Sequence, residues 1–178
     1  TRYHNPTTDE VEERLALMEA AEAAALFASG MAAITTAILT ATRSGEEIVS
    51  TPSLYGGTYR FFRDVRPKYN ISIKYVDPHR LQQLDKLITP KTRIIYFETP
   101  TNPTLDIIDI RELVQRTTKM RKRFGNPLIT MIDNTFATVL NQNPFEYGVD
   151  VVVESASKYL GGHSDIIAGA ASGNAGIV

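Results

Sequence analysis

Val149-Asp150-Val151-Val152-Val153-Glu154-Ser155-Ala156-Ser157-Lys158 is the stretch on which the reading of this chain turns. Its first half is rich in β-branched valine, the pattern of a strand buried on both faces. Its second half turns polar at once and delivers a carboxylate, two hydroxyls and a lysine just past the strand's end. The same pattern recurs upstream. Apolar residues 128–132 are followed by Asp133-Asn134-Thr135, and residues 93–97 by Glu98-Thr99-Pro100-Thr101-Asn102-Pro103. Residues 24–28 read as a short buried strand followed by Ser29-Gly30-Met31.

Helical spacing fills the intervals. Ile34, Ala37, Ile38 and Ala41 mark one face of a helix that stops at Ser44-Gly45, and Phe61, Phe62 and Val65 mark another. Asp77-Pro78 predicts the start of a helix carrying Leu81 and Leu84. Asp109 predicts a long helix with Ile110, Leu113, Val114 and Thr117 inward, ended by Gly125. Residues 48–51 and 71–76 supply further strands. Strand–helix alternation of this kind predicts an α/β fold with a mainly parallel, doubly wound sheet, which binds ligands beyond the carboxyl ends of its strands. At the start, Thr7 and Glu10 have capping-box spacing, and Val11, Leu15 and Met18 follow at helical period. This divides the chain into an arm with its first helix, 1–20, and an α/β domain, 21–178.

Composition sets the outer bounds. The chain has 178 residues, 43% hydrophobic and 22% charged, with 19 Lys plus Arg against 20 Asp plus Glu. A net charge of −1 argues against a nucleic-acid partner, because phosphate affinity needs concentrated positive charge. No run is apolar enough for a membrane span. With no cysteine there is no disulfide framework, thiolate metal site or thiol nucleophile, which fits a cytoplasmic setting. His4, His79 and His163 are too scattered for a metal motif.

Each polar group at the strand ends carries two readings. Ser29-Gly30-Met31 is a phosphate seat at a helix N-terminus or an ordinary strand-to-helix turn. Asp133 is a desolvated carboxylate that needs a cation, or an Asp-Asn turn bonded to its own backbone. Ser155 and Ser157 are phosphate donors or caps. Lys158 is an amine activated by loss of solvent or a surface charge. Tyr55, before Gly56-Gly57, is an aromatic face for a ring or a half-buried core tyrosine. The basic run Arg116, Lys119, Arg121, Lys122 and Arg123 reads as a solvated helix end matching the dipole. Taken together, an amine, an acid, a phosphate seat and an aromatic face match the needs of pyridoxal 5'-phosphate.

Thr1-Arg2-Tyr3-His4-Asn5-Pro6-Thr7, Ser29-Gly30-Met31-Ala32-Ala33, Tyr55-Gly56-Gly57-Thr58, Glu98-Thr99-Pro100-Thr101-Asn102-Pro103, Asp133-Asn134-Thr135-Phe136 and Ser155-Ala156-Ser157-Lys158-Tyr159, with Gly161-Gly162-His163-Ser164-Asp165, occur in a telling order. They resemble the Cys/Met metabolism (transsulfuration) family of pyridoxal-phosphate enzymes, the cystathionine γ-synthase, cystathionine γ-lyase and methionine γ-lyase group. The resemblance implies the large cofactor-binding domain of the fold-type I, aspartate-aminotransferase-like architecture. It implies that Lys158 carries the cofactor as a Schiff base, that Asp133 pairs with the ring nitrogen and that Tyr55 stacks on the ring and assists proton transfer. Ser29, Gly30, Met31, Ser155 and Ser157 would hold the phosphate, with Thr135 also beside the cofactor. Asn102 would lie near the cofactor's phenolic oxygen or the substrate carboxylate. Arg2 would reach the phosphate of a neighbouring subunit in a homodimer or homotetramer with shared sites.

The activity so implied is γ-elimination or γ-replacement on cystathionine, methionine or an O-acylhomoserine. The alternative is a non-catalytic form of the fold that only assembles with a partner chain. Three departures from the family pattern stand out. Gly57 replaces the cysteine of many methionine γ-lyases, which leans toward cystathionine or homoserine-ester chemistry. Glu154 stands beside the phosphate loop where relatives often carry histidine or another residue. Ser157 replaces a common threonine but keeps the hydroxyl. A smaller C-terminal domain with a substrate-carboxylate arginine is expected outside this chain.

Overall fold

The computed structural model describes residues 5–177. The valine- and isoleucine-rich runs form the middle of a seven-stranded sheet in the order β1-β7-β6-β5-β4-β2-β3. The strands are β1 (Ala23–Phe27), β2 (Glu47–Ser50), β3 (Ser72–Tyr75), β4 (Thr92–Glu98), β5 (Ile129–Asp133), β6 (Val151–Glu154) and β7 (Gly169–Gly173). Strands β6, β5, β4, β2 and β3 are parallel, while β7 is antiparallel to both β6 and β1. The helices are α1 (Pro6–Glu19), α2 (Gly30–Ala41), α3 (Gly56–Tyr69), α4 (Leu84–Leu87), α5 (Ile110–Phe124) and α6 (Thr138–Asn141). This is the mainly parallel α/β sheet that the alternation predicts.

Period-two alternation along the strands divides the apolar side chains between two cores. Ile94, Tyr96, Met131, Val151 and Val153 pack with Ile34 and Ile38 of α2 and with Phe62 and Val65 of α3. Ile95, Phe97, Ile132 and Val152 pack on the opposite face with Leu84 of α4 and Leu113 and Met120 of α5. Each such side chain contributes about 1.5–3 kcal/mol on burial, so the central strands hold the sheet in place. As a result, every parallel strand ends on one rim.

The end signals of α5 act as expected. Asp109 accepts a hydrogen bond from the Glu112 N–H at 2.9 Å, and Gly125 takes a left-handed conformation at φ 64°. The basic run is more than a solvated end. Arg116 and Lys119 pair with Asp85, and Arg121 pairs with Asp150 while donating to the Leu128 carbonyl, so α5 is pinned to α4 and to the start of β6.

Four expectations are corrected. Asn5, not Thr7, caps α1: its side chain accepts the Thr7 N–H at 3.1 Å, and Pro6 takes the first helical position. Leu15, Ala16 and Glu19 are the buried residues of α1, whereas Val11 and Met18 are exposed in the single chain. After Asp77-Pro78 comes a turn, closed by the His79 N–H on Asp77, then only a short 3-10 turn (Leu81–Gln83) and α4. Lastly, β1 is a half-buried edge strand rather than a buried one. No helix among the described residues is long and apolar enough to cross a membrane.

Candidate active site

The rim where β4, β5 and β6 end encloses a cavity of about 530 Å3. Its lining joins residues far apart in sequence: Ser29, Gly30 and Met31 at the start of α2, Tyr55 before α3, Glu98 and Asn102 after β4, Asp133 and Thr135 after β5, and Ser155, Ser157 and Lys158 after β6. Of the expected site residues, only Arg2 lies outside the described residues.

One end of the cavity is a ring of donors. Ser29 caps α2 by accepting the Ala32 N–H at 3.1 Å, so the preceding N–H groups of Gly30 and Met31 belong to the first turn, where a helix has no partner of its own for them. Close packing gives this end its shape. A Cβ on Gly30 would lie 2.7 Å from the Ser155 Cβ, and one on Gly169 would overlap the Ser29 carbonyl. Glycine at these two positions lets β7 and the loop after β6 approach the helix start. Thr135 ties the loops together: its hydroxyl accepts the Ser155 N–H at 2.8 Å. The Ser157 hydroxyl accepts the Ala168 N–H at 2.9 Å and donates to the Ala168 carbonyl at 3.1 Å, so it must turn off that carbonyl to donate into the cavity.

The floor is acidic. Glu98 and Asp133 are register partners on adjacent parallel strands, and both are buried. Asp133 accepts the Thr135 N–H at 3.0 Å and the Tyr96 hydroxyl at 3.3 Å. Both readings of Asp133 therefore hold in part, because it makes its own turn and is also desolvated. Burial pushes its carboxyl above the ordinary value. A carboxylate offers about four lone-pair sites, so each oxygen keeps capacity for a cation in the cavity. Glu98 accepts the Tyr55 N–H at 2.9 Å and the Asn102 N–H at 2.8 Å. Burial and the neighbouring Asp133 push it up to about 7.

Glu98 and Tyr96 are not among the site residues that the sequence singles out. The signal for Glu98 was present, since it is a carboxylate directly after a buried strand just as Asp133 is. Tyr96 gave no signal, because a tyrosine inside an apolar strand reads as core.

Tyr55 and Phe136 stand exposed at the mouth, as does the Lys158 side chain. The loss of solvent that would activate Lys158 is thus not provided by the described residues. Glu154 does not enter the cavity. Val153 faces the cavity-side core and Val152 the opposite one, so alternation turns Glu154 away, toward Glu19 of α1.

The donor ring, the acidic floor, the aromatic mouth and the amine fit a phosphorylated, cationic aromatic ring. The family model for the Cys/Met metabolism PLP-dependent enzymes matches residues 1–177. The chain belongs to this family. L-methionine γ-lyase of Pseudomonas deceptionensis is 43% identical over 169 residues, 95% of this chain and 41% of that protein. The cystathionine γ-synthase/O-acetylhomoserine (thiol)-lyase of Bacillus subtilis (strain 168) is 42% identical over 168 residues, 94% of this chain and 43% of that protein. The solved structure of cystathionine γ-lyase from Lactobacillus plantarum, complexed with L-serine, superposes with a TM-score of 0.89 at 39% identity, covering 98% of this chain and 44% of that one. The Cys/Met metabolism family thus accounts for the whole sheet and its rim, while the chain spans a little over two-fifths of the length of these relatives.

Proposed function

We propose that this chain is the cofactor-holding part of an enzyme that carries out γ-elimination or γ-replacement on a sulfur amino acid or homoserine ester. The observation that carries the reading is the meeting of Lys158, Asp133, Tyr55 and the α2 N-terminus around one cavity. Bound pyridoxal phosphate supplies an electron sink for charge developed at the substrate Cα. The rest is the work of this chain's residues. The Lys158 amine would hold the cofactor, and as a free amine it would take the substrate Cα proton. Asp133, held by Thr135 and Tyr96, keeps a proton on the ring nitrogen. The Gly30 and Met31 N–H groups and the Ser29, Ser155 and Ser157 hydroxyls bind the phosphate. Tyr55 would stack against the ring, and its phenol oxygen would move a proton during loss of the γ-substituent. Asn102 orients the ring's phenolic oxygen or the substrate carboxylate. Arg2 completes the site of a second copy in a cytoplasmic homodimer or homotetramer.

Gly57 bears on the substrate. A Cβ there would sit 2.7 Å from Tyr55 Cε1 and 2.9 Å from the Met31 sulfur, so a cysteine would push the Tyr55 ring off its position. Glycine in place of the cysteine of many methionine γ-lyases leans toward cystathionine or O-acylhomoserine chemistry.

The expected protein is yellow with pyridoxal phosphate, and Lys158→Ala is colourless. A wild-type protein that gains no visible absorbance with added cofactor, or a Lys158→Ala variant that keeps the full colour, contradicts the reading. Turnover of cystathionine, methionine, and O-acylhomoserine with a thiol then separates the reactions.

A further inference from the structure

We propose that Glu98 is a positioning residue: its single ionised carboxylate holds the Tyr55 and Asn102 backbones on the cavity rim, and taking up a proton releases both together. The two segments are also tied by the Ser53–Thr104 hydroxyl bond at 2.8 Å, but that contact does not titrate, so Glu98 is the link between them that a proton can break. Tyr55 precedes α3 and Asn102 follows β4, yet their N–H groups end on opposite oxygens of one side chain, at 2.9 Å to Oε2 and 2.8 Å to Oε1. Glu98 is 5% exposed, so water does not substitute for either bond. A carboxylate accepts both N–H groups at once. A carboxylic acid places a proton on one oxygen, which weakens that oxygen as an acceptor and leaves an N–H poorly paired.

The charges around Glu98 make this balance sensitive. Asp133 sits beside it in register on β5, the Tyr96 hydroxyl comes from its own strand, and the Tyr55 phenol and the Lys158 amine lie across the cavity. Burial and the Asp133 charge place its midpoint at about 7, within reach of ordinary pH. A cation seated against Asp133 cancels the like charge, lowers that midpoint and tightens the clamp. By reciprocity, protonating Glu98 weakens the affinity for the cation. This second half rests on the assignment of Asp133 to the cofactor nitrogen, whereas the clamp itself does not.

The test is an amide-resolved NMR titration of the protein without cofactor, from pH 5.5 to 8.5. The Tyr55 and Asn102 signals are expected to shift with one common midpoint near 7, and Glu98→Gln is expected to abolish both shifts while the Thr135 amide, on Asp133, keeps its own response. Unequal midpoints, no shift in the wild type, or shifts that persist in Glu98→Gln overturn the clamp. Because the wild-type titration suffices, the proposal does not depend on the variant folding. Repeating the titration with bound pyridoxal phosphate is expected to lower the common midpoint. A midpoint that stays put with cofactor bound contradicts the Asp133 assignment and leaves the cofactor-free result standing.

Discussion

Two pairs of buried acids lie on opposite faces of the same sheet edge. Glu98 and Asp133 form the cavity floor, and every carboxylate oxygen there has a donor: Tyr55, Asn102, Thr135 or Tyr96. Glu19 and Glu154, 1% and 4% exposed, meet behind β6, where both Glu19 oxygens and one Glu154 oxygen have no donor. Equal burial thus produces two chemistries. On the floor the donors let Glu98 and Asp133 carry charge once a cation sits in the cavity, although burial raises both carboxyls. The rear pair can satisfy itself only by sharing a proton; burial raises both of its carboxyls, and the Glu19 charge raises Glu154 further.

The sharpest way to break this comparison is to remove one charge from the floor. Asp133→Asn keeps the shape but loses the counter-charge, and breaking a buried ion pair costs about 3–5 kcal/mol. Pyridoxal phosphate affinity should fall by roughly 100-fold or more in an equilibrium binding titration, and an unchanged affinity would remove Asp133 from the site.

The rear pair makes a pH prediction. An acid whose folded-state pKa is raised binds more protons folded than unfolded, so stability falls as pH climbs above 4.5. The slope is about 1.4 kcal/mol per pH unit for each excess proton. Glu154→Gln gives Glu19 a permanent donor and should flatten that loss, read as urea midpoints at pH 6 and pH 9. A variant with the same alkaline loss as wild type would mean that the pair does not share a proton. Smallest is Tyr96→Phe, which deletes one neutral donor to Asp133. It should cost about 1 kcal/mol of cofactor affinity in the same binding titration. An unchanged affinity would show that the Tyr96 hydroxyl does not support Asp133 in holding the cofactor.

What the sequence disclosed follows the same division. β4, β5 and β6 were legible because β-branched residues buried on both faces leave an unambiguous pattern, and the α5 ends because Asp109 and Gly125 have single mechanical roles. β7 was not, since Gly169–Gly173 is made of small residues chosen for close backbone approach to Ser29 and Gly30 rather than for strand preference. For Asp133, Tyr55 and Lys158 position leaves two readings each, and only their combination and the resemblance to the family assign their roles. Glu98 carried the same signal as Asp133, but its task, receiving two backbone N–H groups, exists only once α3 and the loop after β4 are brought together. Glu154 was visible as a departure, and its partner Glu19 is 135 residues away, beyond what spacing can reveal.

The central claim is that this cavity holds pyridoxal phosphate on Lys158. Borohydride reduction of the cofactor-loaded protein followed by peptide mapping tests it most directly. The account predicts bleaching of the visible absorbance and a phosphopyridoxyl mass on the peptide that contains Lys158. A label on another lysine, or none at all, would contradict it.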